Sequence, residues 1–259
     1  MKDLHDIQNW LCDMDGVLIN DDAMIQGADR FLARLRATNR SFMVLTNNSL
    51  FTPREIRTQL SALGLEVEEG QVWTSALASA QFVHSQRPRG TAFIIGRESI
   101  HEALADVGYR EDATNPDYVV LGETQNYSFD DFATAIQLIE GGSHFVTTNP
   151  EPTGPSRRGS LPGCGAMSAM IERATGVSPY TVGKPNSRMI REAMDVLGAS
   201  THSTVMIGDR MKTDVLAGVD SGLETILVLS GADGEYDASR YPYRPSRVVA
   251  SVAELIDEL

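Results

Sequence analysis

Asp13 and Asp15 stand two residues apart in the segment Asp13-Met14-Asp15-Gly16, at the end of the run IQNWLCDMDG, which reads as a strand ending at Gly16. In extended backbone, side chains two apart point the same way. Two carboxylates that close repel each other unless a cation lies between them. Three further polar clusters follow apolar runs: Thr46-Asn47-Asn48, then Lys184, then Asp209 with Asp214. These residue types fit phosphoryl transfer. Asp13 would attack phosphorus and form an aspartyl-phosphate. Asp15 would protonate the leaving oxygen, then take a proton from the hydrolytic water. Asp13, Asp15 and Asp209 would make a hard oxygen site suited to Mg²⁺. Such an ion offsets the repulsion between a carboxylate nucleophile and a phosphoryl group. Lys184 would supply a point charge for the transferring oxygens, and Thr46 and Asn47 hydrogen bonds.

Taken singly, each cluster has an ordinary structural explanation. Asp and Gly are common in turns after strands. Asn and Thr cap strands and helices, and a lysine before a proline is ordinarily a solvated loop residue. Gly208-Asp209 and Thr213-Asp214 could be a turn followed by a helix N-cap. Four such clusters, each at the end of an apolar run, are harder to explain as turns. The histidines, His5, His84, His101, His144 and His202, are scattered and read as surface or structural residues. Cys12 should point away from Asp13 into the core. Gly96 lies in no phosphate-loop pattern. Arg157 and Arg158 form a basic pair in a Gly/Pro-rich stretch and read as solvent-exposed.

The elements that must position these residues alternate between short apolar runs and helical spacing. Phe42 to Leu45 is continuously apolar, as suits a strand covered on both faces. Phe31, Leu32 and Leu35 fall at helical spacing. Thr52-Pro53-Arg54-Glu55 reads as a helix start, and Gly198 as a helix end. Strands are expected in TAFIIG, DYVVLGE, HFVTTN, YTVGKP, TVMIGD and ETILVLSG. Helices are expected in SFDDFATAIQLIEGG (capped by Ser128), NSRMIREAMDVLG, TDVLAGVDSG and the terminal SVAELIDEL. This alternation predicts an α/β fold, a parallel sheet with helices on both faces. Ligands then bind at the carboxyl ends of the strands, where the four clusters lie. The stretch from 149 to 165 reads as an irregular loop, and loops of that length are often functional.

Composition narrows the classes. The 259 residues are 42% apolar, and the formal net charge is -13. That balance argues against a nucleic-acid partner, though not against a small anion, because a local cation can invert the field in one pocket. Cys12 and Cys164 form no CxxC pair, so a zinc site is not expected, and isolated reduced thiols fit better than a disulfide. No apolar stretch approaches the length that spans a bilayer, and the N-terminus lacks a signal-peptide pattern. A cytoplasmic protein without membrane partners is expected. An apolar patch on the smaller sheet could pair with a second subunit to make a homo-oligomer.

The ordered clusters resemble the motifs of the haloacid dehalogenase superfamily: Asp13-Met14-Asp15-Gly16-Val17-Leu18, Leu45-Thr46-Asn47-Asn48, Gly183-Lys184-Pro185, and Gly208-Asp209 with Thr213-Asp214. Val182-Gly183-Lys184-Pro185 and Leu223–Gly231 are similar to the NagD-like branch, as are Gly122-Glu123-Thr124 and Thr148-Asn149-Pro150. The resemblance implies a Rossmann-like core from residues 1–79 and 180–259. It implies a smaller inserted α/β cap, residues 80–179, that sets substrate specificity. It implies Mg²⁺ on the Asp13 carboxylate, the Asp15 backbone carbonyl and Asp209, with Asp214 holding the site from behind. Members hydrolyse small phosphate esters, including nucleoside monophosphates, sugar phosphates and aryl phosphates. Asn149 and Glu151 lie in the cap segment that faces the leaving group in this branch. The branch usually has Asp after Asn-Pro, so Glu151 is a departure.

Other readings differ in what they need. A dehalogenase needs no Mg²⁺ and normally lacks the second aspartate. A phosphomutase passes the phosphoryl group to a bound sugar phosphate, and the four motifs alone do not separate it from a phosphatase. A non-catalytic phosphate-binding regulator would generally have lost one of the four groups.

Overall fold

A computed structural model describes residues 4–154 and 160–259, and the chain divides into two compact units. The first comprises residues up to Thr46, Pro53–Trp73 and Lys184–Leu259; the second comprises Asn47–Thr52 and Thr74–Gly183. Residues 79 and 180, where the sequence suggests domain boundaries, lie inside a helix and a strand of the second unit.

The first unit begins with β1 (Asn9–Cys12), the ribbon β2 (Ile19–Asn20) and β3 (Ala23–Met24), α1 (Ala28–Ala37), β4 (Ser41–Thr46), α2 (Pro53–Ala62) and β5 (Val72–Thr74). The second unit contributes α3 (Ser75–Gln86), β6 (Thr91–Ile95), α4 (Glu98–Asp106), β7 (Arg110–Glu111) and β8 (Tyr118–Leu121). It continues with α5 (Phe129–Glu140), β9 (His144–Thr147), β10 (Thr153–Gly154), β11 (Leu161–Pro162), α6 (Cys164–Thr175) and β12 (Tyr180–Thr181). The chain then completes the first unit with α7 (Ser187–Leu197), β13 (Thr204–Gly208), α8 (Leu216–Asp220), β14 (Glu224–Val228), α9 (Glu235–Ser239) and β15 (Arg247–Val249).

The first unit is built on a six-stranded sheet in the order β15-β14-β13-β1-β4-β5. β1 runs parallel to both β13 and β4, and β14 runs parallel to β13 and β15. Every residue of β13 is buried, as is every residue of β4 after Ser41. Unbroken burial of this kind belongs to strands covered on both faces. Helix α1 buries Ala28, Phe31, Leu32 and Leu35. Phe31 meets fully buried Trp10 edge-on, with centroids 5.7 Å apart. Helix α7 starts where the Asn186 side chain accepts the Arg188 N–H and ends at Gly198, whose φ of 63° suits glycine.

The second unit has a five-stranded sheet, β12-β9-β8-β6-β7, with parallel pairing throughout. Its core joins Val119, Leu121, Phe132, Phe145 and Ile171. Ser128 caps α5 by accepting the Asp131 N–H at 3.1 Å.

Three segments differ from their sequence patterns. The 149–165 stretch is not wholly irregular: β10 and β11 pair antiparallel, and α6 begins at Cys164. Arg157 and Arg158 lie outside the described residues. The expected helix over 213–222 is a π-helical turn, Met211–Val215, followed by the short α8. The terminal segment is a 3₁₀ helix, Val252–Glu258. Its buried residues, Val252 and Leu255, are three apart, and that spacing eclipses in a three-residue turn. Among the described residues, no helix is long and apolar enough to cross a membrane. Both cysteines are buried free thiols.

Both tryptophans belong to the first unit, so their fluorescence reports on it. Phe31→Ala removes the ring packed on Trp10. It should lower stability by about 3–5 kcal/mol, seen as a lower guanidinium midpoint with an unchanged slope.

Candidate active site

Parallel register brings the sequence clusters of the first unit to one edge of its sheet. Cys12 stands opposite Val44 on one side and Ile207 on the other. The Asp13 N–H continues the ladder, donating to the Ile207 carbonyl at 2.9 Å. Asp13 therefore leaves the central strand between the end of β4, where Thr46 is buried, and the end of β13, where Asp209 follows Gly208.

Lys184 is the charged centre of this edge. Its side chain is buried, with Nζ 2.8 Å from Asp13 Oδ1 and 2.7 Å from Asp214 Oδ1. It also donates to the Leu45 carbonyl at 2.9 Å. An ammonium has three protons, and these three oxygens match them. Burial alone would lower the Lys184 pKa, but the two carboxylates outweigh it and hold the amine above its ordinary value. The sequence reading placed this lysine against substrate oxygens; the structure shows it pairing two aspartates.

Asp13 Oδ1 also accepts the Met14 N–H at 2.8 Å, so among the described residues the hydrogen bonds to this carboxylate fall on Oδ1. Asp209 Oδ2 accepts the Ala232 N–H at 2.7 Å, while its buried Oδ1 has no hydrogen-bond partner among the described residues. Asp214 Oδ2 accepts the Arg210 N–H at 3.1 Å across the π-helical turn.

Carboxylate oxygens of Asp13, Asp209 and Asp214 lie within 4.8 Å of one another. If all are ionised, three negative charges face the buried ammonium of Lys184 and the half-exposed guanidinium of Arg210, whose Nε lies 4.0 Å from Asp209 Oδ1, so the cluster keeps a negative excess. Burial first, then the neighbouring Asp214, raises the pKa of both Asp13 and Asp209; that of Asp209 is pushed up to about 6. Such a cluster stays protonated or takes up a cation. The donors are hard oxygens, one of them orphaned, and they fit a divalent ion such as Mg²⁺.

The Asp15 carboxylate is not in this group. The strand ends at Cys12, so alternation of side chains no longer governs Asp15. Beyond it the chain turns at Gly16, whose φ is 78°, and the Leu18 N–H returns to the Met14 carbonyl at 2.9 Å. A Cβ on Gly16 would collide with the Asp209 carboxylate, so both the conformation and the space require glycine. Asp15 is exposed to solvent yet crowded by protein atoms. Desolvation raises its pKa, opposed by Lys184 and Arg210.

Sequence reasoning missed the loop after β14. Ser230 Oγ donates to the Gly16 carbonyl at 2.7 Å. Gly231 leaves no room for a Cβ beside the Asp209 carboxylate, and the Asp233 side chain accepts the Met211 N–H at 2.7 Å. The available signal was the glycine-rich LSGADG at another strand end.

Asn47, Asn149 and Glu151 belong to the second unit. Asn47 Nδ2 donates to Glu151 Oε1 at 2.9 Å, and Asn149 Nδ2 donates to the Asn47 carbonyl at 3.0 Å.

Lys184→Met should leave two buried carboxylates unpaired and cost roughly 3–5 kcal/mol near neutral pH. Unpaired buried carboxylates have raised pKa values, so the folded state gains stability as they protonate. The deficit against wild type should therefore shrink as pH falls, measured as denaturation midpoints across a pH series.

Two family profiles match the chain: haloacid dehalogenase-like hydrolase over residues 10–110, and HAD-hydrolase-like over residues 181–255. The dihydroxyacetone phosphatase of Corynebacterium glutamicum is 50% identical over 249 residues, which is 96% of this chain and 90% of that protein. The ribonucleotide monophosphatase NagD of Escherichia coli K12 is 37% identical, covering 96% and 98%. The crystal structure of a Mycobacterium tuberculosis glycerol phosphate phosphatase in complex with magnesium superposes with a TM-score of 0.93 at 30% identity, covering 98% of this chain and 78% of that one. With profiles at both ends and relatives of this identity across nearly the whole length, the chain belongs to the haloacid dehalogenase-like hydrolases, in the branch of NagD-like phosphatases.

Proposed function

We propose that this phosphatase hydrolyses small phosphate monoesters through an aspartyl-phosphate on Asp13, with Asp15 as acid and base and Mg²⁺ as cofactor. The observation that carries this reading is the division between the two carboxylates. Asp13 is buried and held through one oxygen by Lys184 and the Met14 N–H, while Asp15 stands outside the acidic cluster with access to solvent.

Asp13 Oδ2, the oxygen without a hydrogen bond among the described residues, forms the new bond to phosphorus as the ester P–O bond breaks. Asp15 delivers its proton to the departing alkoxide or phenoxide. The same carboxylate then accepts a proton from water as that water attacks the phosphoaspartate, releasing inorganic phosphate and regenerating Asp13. Lys184 keeps the Asp13 carboxylate oriented and lies beside developing negative charge; Thr46 and Asn47 donate to the phosphoryl oxygens. Asp13, Asp209 and the Asp15 carbonyl would hold Mg²⁺, with Asp214 fixing the site through Lys184 and the Arg210 N–H. When bound, the ion neutralises phosphoryl charge and the excess charge of the cluster.

The substrate reading follows the relatives. Half of the residues match a dihydroxyacetone phosphatase, which puts three-carbon phosphates first among sugar phosphates, nucleoside monophosphates and aryl phosphates. Residues 80–179, within the second unit, act as the cap that selects the leaving group. The free thiols and soluble composition suit the cytoplasm.

The purified protein should release phosphate from p-nitrophenyl phosphate with Mg²⁺ and stop when EDTA is added. Asp13→Asn should abolish turnover while the fold persists by circular dichroism; turnover surviving that substitution excludes the covalent route. Asp15→Asn should lose most turnover yet still bind Mg²⁺, because its backbone carbonyl remains.

Protons compete with the cation at Asp209. Its folded-state pKa of about 6 lies above the ordinary carboxylate value, so the metal-free protein loses stability as pH rises through about 6. Added Mg²⁺ reverses that loss. The gain in Tm on adding Mg²⁺ should therefore be larger at pH 7.5 than at pH 5.5, measured by differential scanning fluorimetry.

A further inference from the structure

The segment Asn47–Thr52, which carries the end of the second sequence cluster, is gripped by side chains from several strand and helix ends of the second unit. Glu123, just past β8, accepts the Ser49 N–H at 2.8 Å and the Ser49 hydroxyl at 3.2 Å. Ser49 Oγ in turn accepts the Glu123 N–H at 3.0 Å and lies 3.0 Å from the Thr148 hydroxyl. Ser99 Oγ donates to the Ser49 carbonyl. The Asn47 carbonyl accepts from Ser75 Oγ at 2.6 Å and from Asn149 Nδ2 at 3.0 Å. These bonds account for Glu123, Thr148 and Asn149, which the sequence singled out and the phosphoryl chemistry leaves unused.

One bond in this set acts on a side chain with a role in the chemistry. Asn47 Nδ2 donates to Glu151 Oε1 at 2.9 Å, and the Glu151 N–H donates to Asn149 Oδ1 at 3.1 Å. The other end of the Asn47 amide lies over Gly183, where a Cβ would come within 2.6 Å of Oδ1. An amide nitrogen carries two hydrogens in one plane. With one aimed at Glu151 and the carboxamide seated on Gly183, the direction of the second is fixed.

We infer that Glu151 is a positioning residue for Asn47: its carboxylate orients the amide that donates to the phosphoryl group, and it does not read the leaving group. This rests on the phosphatase reading above. The longer side chain matters here, because an aspartate at this position would draw its carboxylate back by one methylene from an amide held on its other side.

A leaving-group contact affects substrates unequally, whereas a phosphoryl-positioning residue affects them all alike. The test is therefore kcat/KM of Glu151→Ala, Glu151→Asp and Glu151→Gln against p-nitrophenyl phosphate, a triose phosphate and a nucleoside monophosphate. The Ki of inorganic phosphate, which has no leaving group, is measured alongside. Glu151→Ala should lose about 10- to 100-fold in kcat/KM, the size expected of a misplaced reacting group. The factor should be the same for each substrate, and the phosphate Ki should rise. Glu151→Gln keeps an acceptor oxygen at the same reach and should retain wild-type behaviour; Glu151→Asp should move with Ala. In an Asn47→Ala background, Glu151→Ala should add no further loss.

A loss that differs between substrates with an unchanged phosphate Ki overturns the proposal, as does full additivity with Asn47→Ala. If Glu151→Ala fails to fold, the Asp and Gln variants carry the same comparison, and equal activity in the two overturns it. Wild-type protein inactive with Mg²⁺ on every ester would count against the phosphatase reading itself. Active wild type with an indifferent Glu151 counts only against this inference.

Discussion

The ammonium of Lys184 holds the first unit's acidic edge together. It is buried, yet bonded to Asp13, Asp214 and the Leu45 carbonyl, so burial does not discharge it. The same low-polarity surroundings that make an unpaired charge expensive strengthen a paired one. Asp13 and Asp214 could not lie this close as carboxylates without it. The lysine does not balance the cluster, however, because Asp209 brings a third carboxylate. The half-exposed Arg210 beside Asp209 offsets that charge only in part, and the remaining negative excess is a standing demand for a cation. The same lysine thus binds two carboxylates of the cluster and leaves its negative charge only partly balanced.

The rest of the unit delivers groups to that lysine with little departure from regular structure. Parallel register aligns the ends of β1, β4 and β13, and continuous apolar burial keeps those strands fixed between their covering layers. Irregular backbone also appears where the site needs close approach. Gly16 turns with positive φ beside Asp209, Gly231 clears space on the same carboxylate, and a π-helical turn carries Asp214 back to the Arg210 N–H. Wide helical turns of this kind are rare and concentrate at functional sites. Local geometry gives way where three carboxylates converge.

Much of this was legible in the sequence, for identifiable reasons. The runs at β4, β13 and β14 are long and apolar enough to leave little doubt about strands, and their polar successors mark one edge of a parallel sheet. The spacing singled out Asp13, Asp209 and Asp214, whose carboxylates the structure brings together, but it did not show that grouping. Side-chain alternation aligned Asp15 with Asp13 only on the premise of extended backbone, and the strand stops at Cys12. Chain spacing says nothing about which of Asp15, Asp209 and Asp214 come within a few ångströms of one another; the π-helical turn and the Lys184 bridge decide that. The Ser230–Asp233 loop was hidden because its hydroxyl, backbone amide and carboxylate hold neighbouring backbone and Asp209 in place, contacts that residue spacing does not announce. β15 and α9 are too short to show a period, with three and five residues.

The separation of Asp13 from Asp15 is what two successive proton states require. A carboxylate that attacks phosphorus must be deprotonated and aimed, and it must not pick up a proton from water between turnovers. Burial, a lysine on one oxygen and a backbone N–H on the same oxygen provide the aim, and a cation at the cluster would provide the ionisation that burial alone resists. A carboxyl that gives and then recovers a proton needs the opposite setting: outside the cluster and in reach of solvent, with desolvation raising its pKa above the ordinary carboxylate value. Had the chain stayed extended through Gly16, both carboxylates would have entered one environment and competed for one cation. The end of the strand at Cys12, followed by the turn at Gly16 that only glycine can make against Asp209, therefore keeps the two carboxylates in different surroundings.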